Sequence, residues 1–213
     1  MNRLLSTFLI LIVLSACGSD TDNAQGWGST DGSSLLNPDF KGNAVDFIAG
    51  MNGCLGLTPQ HMAKLYDTTV ERALVVDLTK ENVGNVDPRT PPSCTLRIQA
   101  SADERDTLTG SMVLRREVGA DEAMGDFAQA VGSGEQWQEE WALQKQIRNL
   151  DPVPSLGMAA LWNPKTRRLS IKFDGYSADI TVPGSAFNQV EQERQRNYRQ
   201  IAIQMVKLSG LSD

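Results

Sequence analysis

Cys54, Cys94 and the only histidine, His61, are the residues of this chain whose chemistry would be easiest to recognise. Two thiols can close a disulfide, contribute to a zinc site or supply a nucleophile. Zinc takes four ligands, usually cysteine and histidine at close spacing, and one histidine cannot complete such a set. A thiol nucleophile wants a histidine held by a third group, and His61 falls in the first turn of a short helix that Thr58-Pro59 begins, a place suited to a surface or packing role. No Gly-x-Ser-x-Gly elbow is present for a serine hydrolase. Gly132-Ser133-Gly134 lacks the preceding strand and the lysine of a phosphate loop. Asp103, Glu104 and Asp106 lack the spacing and central glycine of a calcium loop and read as a solvated turn. A glycosidase would need two carboxylates about 5 to 9.5 Å apart on different elements; Glu139 and Glu140 are neighbours on one. These residue types predict neither a metal, a cofactor nor a catalytic set.

The third cysteine has a different setting. Arg3, an apolar run over residues 4–14 and then Leu14-Ser15-Ala16-Cys17 resemble the lipobox of bacterial lipoproteins. That resemblance implies cleavage before Cys17 and acylation of its thiol and amino terminus, palmitate-type chains included. The apolar run would span roughly 16 Å at ~1.5 Å per residue, about half of a ~30 Å hydrocarbon core. It fits a removable signal rather than a spanning helix. Two or three acyl chains, at ~0.8 kcal/mol for each buried CH₂, anchor a protein durably. Gly18 after the lipidated cysteine, in place of aspartate, implies the periplasmic face of the outer membrane where the source has two membranes. An exported chain meets oxidising conditions, and Cys54 and Cys94 can then pair in one way only. Closing a loop of about 40 residues stabilises by up to ~4 kcal/mol in the chain-entropy account.

The net charge is -6, and loss of Arg3 with the signal makes the mature chain one unit more negative. Such a balance is unsuited to nucleic acid or to anionic lipid surfaces. Hydrophobic residues make up 40% and charged residues 22%, ordinary values for a globular domain. Residues 1–16 read as the signal and 17–42 as a lipidated tether rich in Gly, Ser, Asp and Asn. Residues 43–213 read as a single domain. The tether has a root-mean-square span of about 25 to 30 Å. Trp27, Leu35, Leu36 and Phe40 interrupt its polar run and suit occasional packing on the domain.

Two features suit binding. Trp137 and Trp141, four residues apart, share a helical face and form an aromatic patch if exposed, although core packing is the commoner fate of such a pair. Arg194, Arg196 and Arg199 read mainly as the solvated face of the last helix.

The elements that carry these residues follow from periodicity. Thr58 caps a helix beginning at Pro59, with Met62, Leu65 and Tyr66 on one face. Residues 73–78 suit a strand and residues 82–92 a loop. Leu96 and Ile98 alternate with polar neighbours after Cys94, and Leu108, Met112 and Leu114 share one side of residues 107–117. Asp121 caps a helix through Met124, Phe127, Ala128 and Val131. Ser133 to Gln136 has a capping-box pattern that opens a short helix bearing the tryptophans. Residues 144–150 are assigned to a strand. Residues 158–162 form another, followed by a turn at Asn163-Pro164, and Leu169, Ile171 and Phe173 alternate ahead of the Asp174-Gly175 hairpin signal. Ala178, Ile180 and Val182 complete a three-stranded meander. A long helix over residues 188–209 carries the stripe Val190, Arg194, Tyr198, Ile201, Ala202, Met205 and Leu208 and stops at Gly210.

These elements make an α+β domain, an antiparallel sheet covered by helices, with a C-terminal three-stranded meander and a long C-terminal helix. Cys54-Leu55-Gly56-Leu57-Thr58-Pro59 ahead of a helix, Cys94 opening a strand, the Leu156-Gly157-Met158-Ala159-Ala160 segment before paired strands and the final helix resemble small bacterial envelope lipoproteins of PsbP-like α/β sandwich fold. The resemblance covers residues 46–210 and implies a fold and an envelope location, with no catalytic residues. Met158 stands where such proteins often carry an acidic residue. The chain is therefore expected to be a non-enzymatic binding or accessory module for an envelope protein partner, held to a membrane through Cys17. The alternatives are an inhibitor of an external hydrolase, or a wall- or lipid-active enzyme with a carboxylate site.

Overall fold

The computed structural model describes residues 35–81, 90–101, 106–117, 137–184 and 196–212. The elements are α1 (Pro59–Tyr66), a 3₁₀ turn (Val70–Arg72), β1 (Ala73–Asp77), α2 (Leu78–Glu81), β2 (Ser93–Gln99), β3 (Thr107–Arg116), α3 (Trp137–Arg148), β4 (Asp151–Pro152), β5 (Ala159–Asn163), β6 (Arg168–Lys172), β7 (Tyr176–Gly184) and α4 (Tyr198–Ser209). The domain is α+β. Its strands form one antiparallel sheet in the order β1-β2-β3-β7-β6-β5-β4.

Alternation decides which face each side chain joins. Leu96, Met112, Leu114, Leu169, Ile171 and Ile180 project to one side of the sheet and are fully buried there. They share a core with Met62 of α1 and with Ala202, Met205 and Val206 of α4. The sequence of β5 is apolar at successive positions because both of its faces are covered. Ala160 and Trp162 join the main core, while Ala159 and Leu161 join a second cluster with Leu35 and Ala142. A register shift between Thr109 and Ser111 sits at Gly110, where a Cβ would lie 2.4 Å from the Thr181 carbonyl oxygen.

Capping chemistry fixes the helix ends. Thr58 Oγ1 accepts the amide of His61 at 3.2 Å with Pro59 in the first turn, as the sequence predicts. Asn197 Oδ1 accepts the amide of Gln200 at 3.0 Å, so α4 begins at Tyr198 and residues 196 and 197 lie ahead of it. The expected start at 188 lies outside the described residues, as do the helix expected from Asp121 and the capping box at Ser133. At the other end Gly210 adopts a φ of 81° and the amide of Leu211 reaches the carbonyl of Val206 at 3.2 Å.

Residues 144–150 are not a strand. Helix α3 runs through to Arg148, and Asn149, with a φ of 51°, ends it while the Leu150 amide donates to the Lys145 carbonyl at 3.0 Å. Its charges explain the outcome. Glu139 and Glu140 occupy the first turn and Lys145 and Arg148 the last, matching the helix dipole. Gln144 Nε2 donates to Glu140 one turn back at 3.2 Å.

Residues 35–48 hold to the sheet through hydrogen bonds. The Asn37 amide donates to the Met158 carbonyl at 2.8 Å and its side chain to the Gly157 carbonyl at 2.9 Å. Asn43 bonds reciprocally to Asp174, at 2.8 and 3.0 Å. The Tyr176 hydroxyl donates to the Val45 carbonyl at 2.8 Å, with its ring stacked on Phe173 at 4.8 Å. Residues 35–42, expected to belong to a flexible tether, are therefore attached to the domain.

Cys54 and Cys94 form the expected disulfide, with Cα atoms 4.7 Å apart. It joins the loop before α1 to the start of β2, and a Cβ on Gly53 would lie 2.2 Å from the Ser93 amide nitrogen. Substituting both cysteines by serine is expected to remove about 3 kcal/mol of stability, read as a lower urea midpoint that reductant reproduces in the native chain. A second expectation concerns alkali. Burial, with a smaller contribution from the Asp46 charge, pushes the Tyr176 hydroxyl up to about 12. The neutral phenol is thus favoured in the folded state, so its contribution is intact below pH 10 and fades as pH rises towards 12. Tyr176→Phe should lower the urea midpoint at neutral pH, through loss of the Val45 bond, and flatten its fall between pH 10 and 12.

Candidate functional site

With Leu169 and Ile171 in the main core, the alternation of β6 sends Arg168, Ser170 and Lys172 to the second face. Lys172 is nonetheless only 3% exposed. Its ammonium lies 2.8 Å from a Glu117 carboxylate oxygen, donates to the Phe173 carbonyl and sits 5.3 Å from the centre of the Trp137 ring. Helix α3 makes this site by crossing the second face above β5 and β6. Trp137 and Trp141 meet edge to face at 6.1 Å and rest against Leu35, Ala142, Ala159 and Leu161. Both indoles are half-buried. The predicted tryptophan pair therefore forms a supporting cluster around a buried lysine, with its outer rims accessible.

Periodicity places Lys172 among outward residues, and nothing in its own strand signals burial. The cover arrives from α3 and Leu35, both distant in sequence. A carboxylate, a carbonyl and an aromatic face occupy the ammonium, which makes Lys172 a structural cation rather than a nucleophile.

Further along the same face, Asp179 of β7 accepts from Arg115 of β3 and from the Ser170 hydroxyl of β6, the latter at 2.6 Å. This network ties three neighbouring strands together. Beyond it the face is polar and open, carrying Thr95 and Arg97 of β2 and Thr109 and Ser111 of β3. At its far margin Glu71, Arg72, Leu74, Arg97, Gln99 and Thr107 line a cleft of about 360 Å³. Leu74 is 46% exposed there. Hydrogen bonds from its own backbone and from Thr69 hold the Glu71 carboxyl below the usual carboxylate range.

His61 is half-buried on α1, and its Nδ1 atom is buried without a hydrogen-bond partner among the described residues. Asp77 uses one carboxylate oxygen to accept the amides of Gly53 and Thr79, at 3.1 and 3.0 Å. Asp106 accepts from Ser101 at 2.6 Å, while Asp103 and Glu104 lie outside the described residues. Glu139 and Glu140 stand exposed on the first turn of α3. Among the described residues no three His, Cys, Asp or Glu side chains come together as a metal site.

Two of the three C-terminal arginines serve the fold. Arg196 covers the Tyr66 ring at 4.9 Å and donates to its carbonyl, and Arg199 donates to the Pro152 carbonyl at 2.8 Å. Arg194 lies outside the described residues.

No protein-family model, curated protein or solved structure matches the chain. Its site must be read from its own chemistry. Glu117 can hydrate if its partner is removed, whereas Lys172 cannot. Glu117→Ala is therefore expected to destabilise by about 3 kcal/mol and Lys172→Met by less than about 1.5 kcal/mol. Urea unfolding of the two variants checks the order, and the opposite order would show that the pair is not the constraint on this cluster.

Proposed function

We propose that this chain is a membrane-anchored envelope lipoprotein, held through acyl groups on Cys17, that acts as a non-enzymatic binding module for a protein partner. Where the source has two membranes, the periplasmic face of the outer membrane is its place. The supporting scaffold is an α+β sandwich in which helices cover the sheet and a three-stranded meander ends its C-terminal half.

The observation that carries this reading is the outer side of α3. Leu143 and Ile147, one turn apart, are 38% and 66% exposed above the half-buried Trp137 and Trp141. The inner side of the helix is satisfied by Leu35, Ala159 and Leu161, so the outer leucine and isoleucine are not needed to seat it. Leu35, on the N-terminal side of the domain, packs in the same cluster as α3. A partner held by α3 would lie where the tether arrives, with the anchor setting its distance from the bilayer.

The test is in-cell photocrosslinking from a photoreactive residue at position 147, with Cys17→Ser as the anchor control. Capture of one dominant protein, lost with Leu143→Asp while the fold persists and reduced when Cys17→Ser releases the chain from membranes, is the expected result. Membrane retention of Cys17→Ser would remove the anchor. Absence of any specific adduct would remove the binding reading.

A further inference from the structure

At the opposite margin of the sheet from α3, β1 is the terminal strand, paired with β2 alone. The Ala73 amide is closed onto the Val70 carbonyl, and beyond it no backbone bond other than the ladder to β2 reaches residues 74–76 among the described residues. An edge of this kind is a template for another extended chain. The sequence of β1, Ala-Leu-Val-Val-Asp, suits pairing: Val75 joins the core side while Leu74 projects to the open face.

The cleft lies beside this edge, and its charges give the edge a preference. Arg72 at the entrance to β1 and Arg97 on β2, across from Leu74, both line it. Both are exposed, and among the described residues neither has an ion-pair, hydrogen-bond or ring partner. Arg115 is engaged with Asp179, Arg167 with the Gly184 carbonyl, Arg196 with Tyr66 and Arg199 with Pro152, whereas the exposed Arg148 and Arg168 stand singly on other elements and do not line this cleft. In a chain of net charge -6, two unengaged guanidinium groups sharing one cleft form a local positive site. Glu71 lines the same cleft as a carboxylate that its own backbone and Thr69 hold in the ionised form, so the two guanidinium groups outnumber it by one charge.

We infer that the free edge of β1 and the adjoining Arg72–Arg97 cleft bind an extended acidic segment of a protein partner, which adds as a further strand. Main-chain bonds along β1 supply sequence-independent affinity. Alternate side chains of the added strand fall on the open face, where carboxylates meet Arg72 and Arg97 and an apolar residue meets Leu74. This surface is separate from α3 and does not depend on the lipid anchor.

The test uses the full-length chain in detergent micelles. The probe is a pool of capped peptides about eight residues long, alternating valine with positions randomised over Asp, Glu, Lys, Arg, Ser and Thr. Retained peptides are sequenced by mass spectrometry, and amide hydrogen exchange is followed at residues 74–77 in the same complexes. The expected result is enrichment of Asp and Glu over Lys and Arg by at least about threefold. It is accompanied by slowed exchange along β1, and both effects are lost with N-methylated peptides that cannot extend the ladder.

In the Arg72→Glu/Arg97→Glu variant, checked for native circular dichroism, the preference should invert. Absence of acidic enrichment, or an unchanged preference in the folded variant, overturns the proposal. Enrichment without slowed exchange at β1 also overturns it and assigns the cleft to small carboxylates. Protection of β1 without peptide would give the edge to a different occupant. Dependence on protein concentration identifies a second copy, and sensitivity to Asp20→Asn, Asp22→Asn and Asp31→Asn identifies the chain's own N-terminal segment.

Discussion

The corner where Cys54 meets Cys94 is the constraint on which the arrangement of this domain depends. The disulfide draws the loop before α1 against the first residues of β2. Around it the contacts are close and polar. Gly53 lies against the Ser93 backbone, Asp77 receives the amides of Gly53 and Thr79, and the Thr79 hydroxyl receives the Ser93 amide at 3.1 Å. The covalent bond limits how far the corner can open, while these hydrogen bonds set its geometry. Because Asp77 is also the last residue of β1, the corner fixes the outermost strand from its C-terminal end. A marginal edge strand, with neighbours on one side only, is thus held without a second strand to pair with.

The two sheet faces carry unequal burdens. One bears a continuous apolar core with α1 and α4. Among the described residues the other is covered where α3 and Leu35 lie over β5, and it changes along its width from apolar to polar. Lys172 stands at the transition. Its aliphatic stem lies within the covered region while its ammonium meets Glu117 and the Trp137 face, so a charge is accommodated without opening the cluster. The Arg115–Asp179–Ser170 network follows immediately, and the open threonine- and serine-bearing face lies beyond it. This gradient leaves one end of the sheet able to meet solvent and the other dependent on a covering helix.

Much of the frame was legible in the chain because its signals were local. Thr58-Pro59 starts α1, alternation marks β2, β3, β6 and β7, and the two cysteines other than Cys17 leave one pairing between themselves. Residues 144–150 misled because Leu143, Ile147 and Leu150 give an apolar spacing compatible with either period. Dipole-matched charges and good helix formers carried α3 through them instead. The sites were less legible for a related reason. Lys172 is buried by residues from α3, and Arg97 comes to line one cleft with Arg72 only through the register that sets Leu74 opposite Arg97. A period identifies which face a side chain joins, but the covering of that face is a property of strand order.

An exposed edge strand ordinarily carries a risk of indiscriminate pairing, and β1 contains features that limit it. It is short, Arg72 precedes it and Asp77 closes it, so a long apolar ladder cannot form on it without passing charges at both ends. Asp77 is already engaged by Gly53 and Thr79, and in the adjoining cleft Arg72 and Arg97 outnumber the one carboxylate, Glu71, that an incoming strand would meet. A basic segment would therefore be repelled and a purely apolar one would leave two guanidinium groups to be desolvated without partners. An acidic segment avoids both penalties. The same charged residues that limit indiscriminate pairing at this edge thus give it a preference.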